Sequence, residues 1–499
     1  MTSIDPTGAT AAAIAHAVAS QSMRSVDVLD ALLARMDAIN PAINAVVALD
    51  IDRARAACEA ADAAVIAGDI PLGPLHGVPI TIKDVWETEG LVTTSGAPEL
   101  AAHLPAADAV GVARLKAAGA IVFGKTNVPL WAGDDQTFNE VYGRTNNPWD
   151  LGRTTSGSSG GAAAAVATGI TPIEFGSDIG GSIRTPAHAC GVYGLKPSWG
   201  VIPSRGHIPF RPGALVENDV NCGGPLARSV EDLRLGLDIL AGPLDENAIG
   251  WRLDLPIEGP AGGWWPASSD PSSSQTLDGL RVAITLTDER FPVASDVQQS
   301  LRAFADRLTD AGAAVTETPL PVSVFDGFRS WQDLVLPQIG AMLSDEHVAA
   351  FAGLEALDAG DDIMLRSGQG LVLRWRDVLR ADQHRQTQRQ AWAAHFTNFD
   401  VVLAPPMATT AFPHDTERDF PSRVVEIDGV EFAHTDLTAW PGAIGAMLLP
   451  VVVLPTGRTE HTNLPVGVQV IGPYLRDRWL LDVAARLDAV AGRFAQPPI

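Results

Sequence analysis

Two serine–glycine segments hold the residues best suited to chemistry: Thr154-Thr155-Ser156-Gly157-Ser158-Ser159-Gly160-Gly161 and, after an alanine-rich run, Phe175-Gly176-Ser177-Asp178-Ile179-Gly180-Gly181-Ser182-Ile183-Arg184. Paired glycines beside a serine let the chain turn sharply and aim successive N–H groups into one space, which is what the oxyanion of a tetrahedral intermediate requires. Ile179, Gly180, Gly181 and Ser182 are the expected donors. Either segment alone reads as an ordinary loop, because Gly and Ser are turn formers. Two of them, each with a hydroxyl beside paired glycines, shift the reading toward acyl chemistry on a serine. Such a serine needs a neighbouring group to take its proton.

The elements that must position these segments alternate along the chain. Ser25 reads as an N-cap, followed by Val26, Leu29, Leu32, Leu33 and Met36 at helical spacing until Asn40-Pro41 stops the helix. A second helix covers 51–67 and ends at Gly68, and residues 75–82 read as a turn feeding a strand that Lys83-Asp84 close. Residues 112–118, Gly119 and 120–123 form one helix, cap and strand step of a wound sheet. The stretch 200–224 looks irregular, and 250–275 shifts to Pro, Gly, Ser and Trp, a long loop or linker. Beyond it, 280–284, 399–406 and 449–455 read as buried strands, with helices at 297–308 and 370–396. The expected divisions are an N-terminal helical segment 1–70, a core 71–245, a linker and helical region 246–396 as candidate substrate cover, and a part 397–499 that completes the sheet.

Composition bounds the partners. The 499 residues carry 59 Asp+Glu against 35 Lys+Arg, a formal charge of −24 that repels phosphate backbones and anionic lipid. Neither a nucleic acid nor a membrane is expected as partner; a small, uncharged or weakly charged molecule is. Three cysteines, Cys58, Cys190 and Cys222, lack CxxC spacing and make neither a disulfide framework nor a zinc site. With no export signal at the N-terminus, the expected compartment is the cytoplasm.

Gly157-Ser158-Ser159-Gly160-Gly161, Asp178-Ile179-Gly180-Gly181-Ser182-Ile183-Arg184-Thr185-Pro186 and Gly194-Leu195-Lys196-Pro197 resemble the amidase signature, with matching intervals. Upstream, Gly77-Val78-Pro79-Ile80-Thr81-Ile82-Lys83-Asp84 resembles the lysine segment of that family. The resemblance is strong over 25–245 and weaker over 397–485. It implies an α/β fold with one large mixed β-sheet flanked by helices on both faces, and a Ser-cisSer-Lys triad: Ser182 as nucleophile, Ser158 as bridge on a cis peptide after Gly157, and Lys83 as base. It also implies an amidohydrolase that cleaves a small amide or aryl amide through an acyl-enzyme, with esters and carbamates as extensions, without cofactor or metal. A homodimer is compatible with it. The alternative within the family is the amidotransferase component that releases ammonia from glutamine.

Lysine is a base near pH 7 only if burial or a cationic neighbour costs its charged form roughly 4–5 kcal/mol. Lys83 follows the apolar run 78–82, which fits a desolvated ammonium. Ser158 would both accept and donate, as a hydroxyl can. Ser159, Asp178 and Arg184 are expected to brace the site, the last two by ion pairing. Trp86, Trp131 and Phe138 are expected to line an apolar pocket. Two departures from the family pattern bear on that pocket: Ser156 stands where glycine is common, and Leu130-Trp131 follow Pro129 where an acidic residue is common. Residues 261–265 are a candidate cover.

Two rival motifs fail on context. Residues 119–126 satisfy the phosphate-loop pattern, but their four variable positions are an apolar β-type run and Pro129 follows where a helix should extend. Ser159 fits G-x-S-x-G, but the segment before it is turn-rich rather than a strand, and no acid and histidine pair follows. His188 and His207 lack partners at ligand spacing and read as packing or loop residues.

Overall fold

The computed structural model describes residues 4–68, 71–208, 211–260, 277–360, 362–492 and 494–499. The candidate cover at 261–265 lies outside the described residues.

Eleven strands form one sheet, numbered here in chain order: β1 Val46–Leu49, β2 Val78–Lys83, β3 Ala120–Thr126, β4 Ile173–Asp178, β5 Tyr193–Lys196, β6 Cys222–Ala227, β7 Arg281–Ile284, β8 Ala314–Glu317, β9 Val401–Ala404, β10 Val451–Arg458 and β11 Pro465–Ile471. Their order across the sheet is β1-β3-β2-β4-β6-β5-β10-β11-β9-β7-β8. The β3-β2-β4 trio is parallel, as is β9-β7-β8, and the strands between them run antiparallel. The expected mixed sheet is therefore present. Its central strands β2, β4 and β11 are buried from end to end, which fits the apolar run that marks β2 in the sequence, while β4 buries Glu174 and Asp178 and so carries no such run.

The helix expected to stop at Asn40-Pro41 runs through Ser25–Ile43, with Pro41 in its last turn. It ends at Asn44, in the left-handed region, and the Asn40 side chain accepts the N–H groups of Ala45 and Val46 at 2.8 and 2.9 Å. The exit is thus set by an asparagine at each end of the last turn, and the proline sits where few helical bonds remain to lose. The expected 370–396 helix is Trp375–His395, and a separate helix, Ile363–Gly370, precedes it. The turn between them folds against Gly340, where an added Cβ would lie 1.7 Å from the Leu371 carbonyl oxygen.

Helix Gly160–Ala167 is buried along its whole length. Small residues are what allow it there: a Cβ on Gly161 would lie 2.4 Å from the Asn127 nitrogen. It starts directly after the first serine–glycine segment and so carries that loop on a rigid axis.

Candidate active site

Lys83 is the last residue of β2, held between β3 and β4 in parallel register with Thr126 opposite. Its side chain has no exposure. The Nζ donates to Ser158 Oγ at 2.7 Å, to Ser177 Oγ at 3.0 Å and to the Ser177 carbonyl at 3.4 Å. Burial brings the ammonium down to about 7, against the opposing charges of Asp178 and Glu174. The neutral amine is therefore accessible near neutral pH while it touches a serine hydroxyl.

Ser158 follows a cis peptide bond from Gly157. Gly157 has no room for a side chain, since a Cβ there would lie 2.2 Å from the Asp134 carbonyl oxygen. Ser156 adopts φ 59°, a conformation that favours glycine, which gives the physical sense of the family preference at this position. The Ser159 N–H donates to the Ser182 carbonyl at 3.1 Å, tying the two serine–glycine loops backbone to backbone. Ser159 Oγ itself donates to the Ser177 carbonyl at 3.3 Å in a fully buried position.

The turn carrying Ser182 is organised by one carboxylate. Asp178 accepts the N–H groups of Gly181 at 2.9 Å, Ile183 at 3.1 Å and Arg184 at 3.3 Å, and is gripped by the Arg184 guanidinium at 2.8 and 3.0 Å. Burial alone would raise this carboxyl, but the charge and hydrogen bonds of Arg184 outweigh it and hold Asp178 at about 2. Gly181 sits at φ 122°, open only to glycine without strain. Its N–H is committed to Asp178, which corrects the expected set of four oxyanion donors. Among the described residues, the N–H groups of Ile179, Gly180 and Ser182 have no protein acceptor, and Ile179 and Gly180 are half-buried.

Arg184 also donates to the Pro441 carbonyl at 2.8 Å and Gln469 Oε1 at 2.9 Å. Both partners of the Asp178–Arg184 pair have no side-chain exposure. Removing one would strand the other charge, at a cost of about 3–5 kcal/mol. Arg184→Met is therefore expected to lower the unfolding free energy by that amount, read as a lower urea midpoint at unchanged slope.

Trp86, expected in the pocket wall, is core: it has no exposure, stacks on Phe175 at 4.4 Å and donates to the Gly176 carbonyl at 3.2 Å. Trp131, at φ 52°, and Phe138 are half-buried, and the Arg423 guanidinium lies 5.1 Å from the Phe138 ring centre. Sequence reasoning missed several groups beside the turn. Trp331, on helix Val324–Gly340, donates its Nε1–H to the Ile179 carbonyl at 2.7 Å. Thr438 and Trp331 both approach Gly180, at 3.1 and 3.0 Å from where a Cβ would stand. Ser177 was adjacent to the motif and polar, a usable signal; Trp331 had none, since the carbonyl it binds lies far away in the chain.

The phosphate-loop lysine, Lys125, lies within β3 and donates to the Trp86 carbonyl and Thr88 Oγ1, at 2.5 and 3.1 Å. His188 is buried; Nδ1 accepts the Gly467 N–H at 3.0 Å, and burial pushes the ring down to about 4. His207 is buried against Trp86, at 4.6 Å between ring centres. No helix among the described residues is long and apolar enough to cross a membrane.

A family model described as Amidase matches residues 27–481. The chain is 34% identical to an acylamidase of Rhodococcus erythropolis, over 96% of this chain and 94% of that one. It is 32% identical to a glutamyl-tRNA(Gln) amidotransferase component of Streptomyces avermitilis, again over 96% and 94%. Among solved structures it matches a bacterial aryl acylamidase of the amidase signature family with TM-score 0.78, at 25% identity and over 97% and 96% of the two chains.

Proposed function

This chain belongs to the amidase family and is an amide hydrolase, and from that premise we propose that it cleaves small aryl or alkyl amides with Ser182 as nucleophile, Ser158 as proton bridge and Lys83 as base. The observation that carries the reading is the 2.7 Å bond from Lys83 Nζ to Ser158 Oγ in a site where burial brings that amine to about 7. In this mechanism Ser182 Oγ attacks the carbonyl carbon, its proton passes to Ser158, and the Ser158 proton passes to Lys83. The N–H groups of the 179–182 turn other than that of Gly181 receive the oxyanion. Collapse expels the nitrogen, which takes the proton back through Ser158, and water then cleaves the acyl-enzyme by the same relay. Esters and carbamates offer the same carbonyl and extend the range. Three buried, unpaired cysteines suit action in the cytoplasm.

The likeness to the amidotransferase component supports a second reading, in which the chain releases ammonia from glutamine for a partner. Two experiments separate these. The purified chain alone, without ATP, is expected to turn over a panel of aryl amides, esters and carbamates; poor turnover on all of them favours the second reading. A sulfonyl fluoride followed by peptide mapping is expected to mark Ser182, and a label on Ser159 instead would point to the esterase pattern.

A further inference from the structure

Asp134 and Asp135 are adjacent carboxylates in very different company. Asp134 is met by the Arg423 guanidinium and by His434 Nε2, the latter at 3.2 Å. Asp135 is 9% exposed, and its one hydrogen-bond donor among the described residues is Thr438 Oγ1, at 3.1 Å from Oδ2. Its place is set by both serine–glycine loops. A Cβ on Gly157, the residue before Ser158, would lie 3.2 Å from the Asp135 carbonyl carbon, and a Cβ on Gly180 would lie 3.1 Å from Thr438 Cγ2. Asp135 thus lies against the residue before Ser158 through its backbone and, by way of Thr438, beside the Ser182 turn.

We propose that Asp135 is a specificity residue that selects amides whose acyl part carries an amino group. Sequestered from water with a neutral hydroxyl as its hydrogen-bond donor among the described residues, this carboxylate has no guanidinium partner like the one that meets Asp134, and a substrate ammonium supplies that charge. Burial raises its carboxyl to about 6, with the nearby charges of Asp134 and Asp178 adding to the rise and His434 opposing it, so it is ionised at about pH 7.5. The overall charge of −24 adds a long-range bias that draws cations and repels anions.

The inference rests on the hydrolase reading, and the test separates the two. It compares kcat/KM at about pH 7.5 for isosteric p-nitroanilide pairs in which ammonium replaces methyl: glycyl with propanoyl, 3-aminopropanoyl with butanoyl, and 4-aminobutanoyl with pentanoyl. At least one pair is expected to favour the amine by about 30-fold or more, the scale of one desolvated charged hydrogen bond. In Asp135→Asn that ratio is expected to fall to within about threefold of unity; because each ratio is internal to one protein, a general loss of activity does not disturb it. Asp135→Ser serves the same comparison should the asparagine variant not fold. Ratios near unity in the unaltered enzyme, or a preference that survives both variants, overturn the assignment of Asp135 while leaving the hydrolase intact. No turnover of these anilides, with the wider panel of amides, esters and carbamates also inert, overturns both this assignment and the proposed independent hydrolysis.

Discussion

Ser182→Ala is expected to abolish amide hydrolysis, with kcat falling about a millionfold, the scale seen when a serine hydrolase loses its attacking group. In the proposed mechanism the neighbouring hydroxyls have other tasks. Ser158 is engaged by Lys83 at 2.7 Å, and Ser159 is fully buried and bonded to the Ser177 carbonyl. The turn itself does not depend on the lost hydroxyl: Asp178 holds it through backbone N–H groups and Arg184, and the Ser159 N–H meets the Ser182 backbone carbonyl. Unfolding midpoint and near-ultraviolet circular dichroism are therefore expected to match those of the unaltered protein. Residual turnover above about one part in a thousand, with sulfonyl fluoride labelling retained elsewhere, would remove Ser182 from the mechanism.

Lys83→Met is expected to slow acylation by about 10³–10⁴-fold, measured in single turnover, since it deletes a positioned base while keeping the length of a buried, unbranched side chain. Its companion is a pH profile. A lysine acts as base only when neutral, and burial places this one at about 7, so kcat/KM for the unaltered enzyme rises with pH and levels off above that value. The charges facing it fix the direction of a further change. Asp178 and Glu174 both favour the ammonium, so Glu174→Gln is expected to move the rising limb to lower pH. Glu174 is buried in β4 and accepts from Thr126 Oγ1 at 2.6 Å, and burial raises it to about 7, so its own ionisation overlaps the limb in the unaltered enzyme. A limb that does not shift in Glu174→Gln, or that persists in Lys83→Met, assigns it to another group.

Much of the candidate site was legible because it is local. The lysine at the end of β2 and the two serine–glycine loops each need a residue type that few other positions tolerate, and Gly157 and Gly181 show why: one has no space for a Cβ and the other has a φ suited to glycine. Buried strands with apolar runs, such as those at 78–83, 281–284, 401–404 and 451–458, were legible, whereas the buried Ile173–Asp178 and Cys222–Ala227 strands, rich in Gly and polar residues, were not. What failed was long-range or polar. The Ala314–Glu317 strand sits at the sheet edge with mostly exposed residues, so it carries no apolar run to read. Trp86 was read as pocket lining because an aromatic next to a lysine of this kind suits either role, and only its stacking on Phe175 decides for the core. The commitment of the Gly181 N–H to Asp178 is a matter of hydrogen-bond direction, which composition does not encode. Trp331 and Asp135 reach the site through tertiary contact alone.

The bonds from Arg184 to Pro441 and Gln469 join the nucleophile turn to segments made far later in the chain. During synthesis, Lys83, Ser158 and Ser182 emerge early, and Arg184 has Asp178 close at hand in the same turn; its bonds to Pro441 and Gln469 form only once those later segments have docked. A chain cut short before these segments therefore lacks two of the contacts that brace the Ser182 turn.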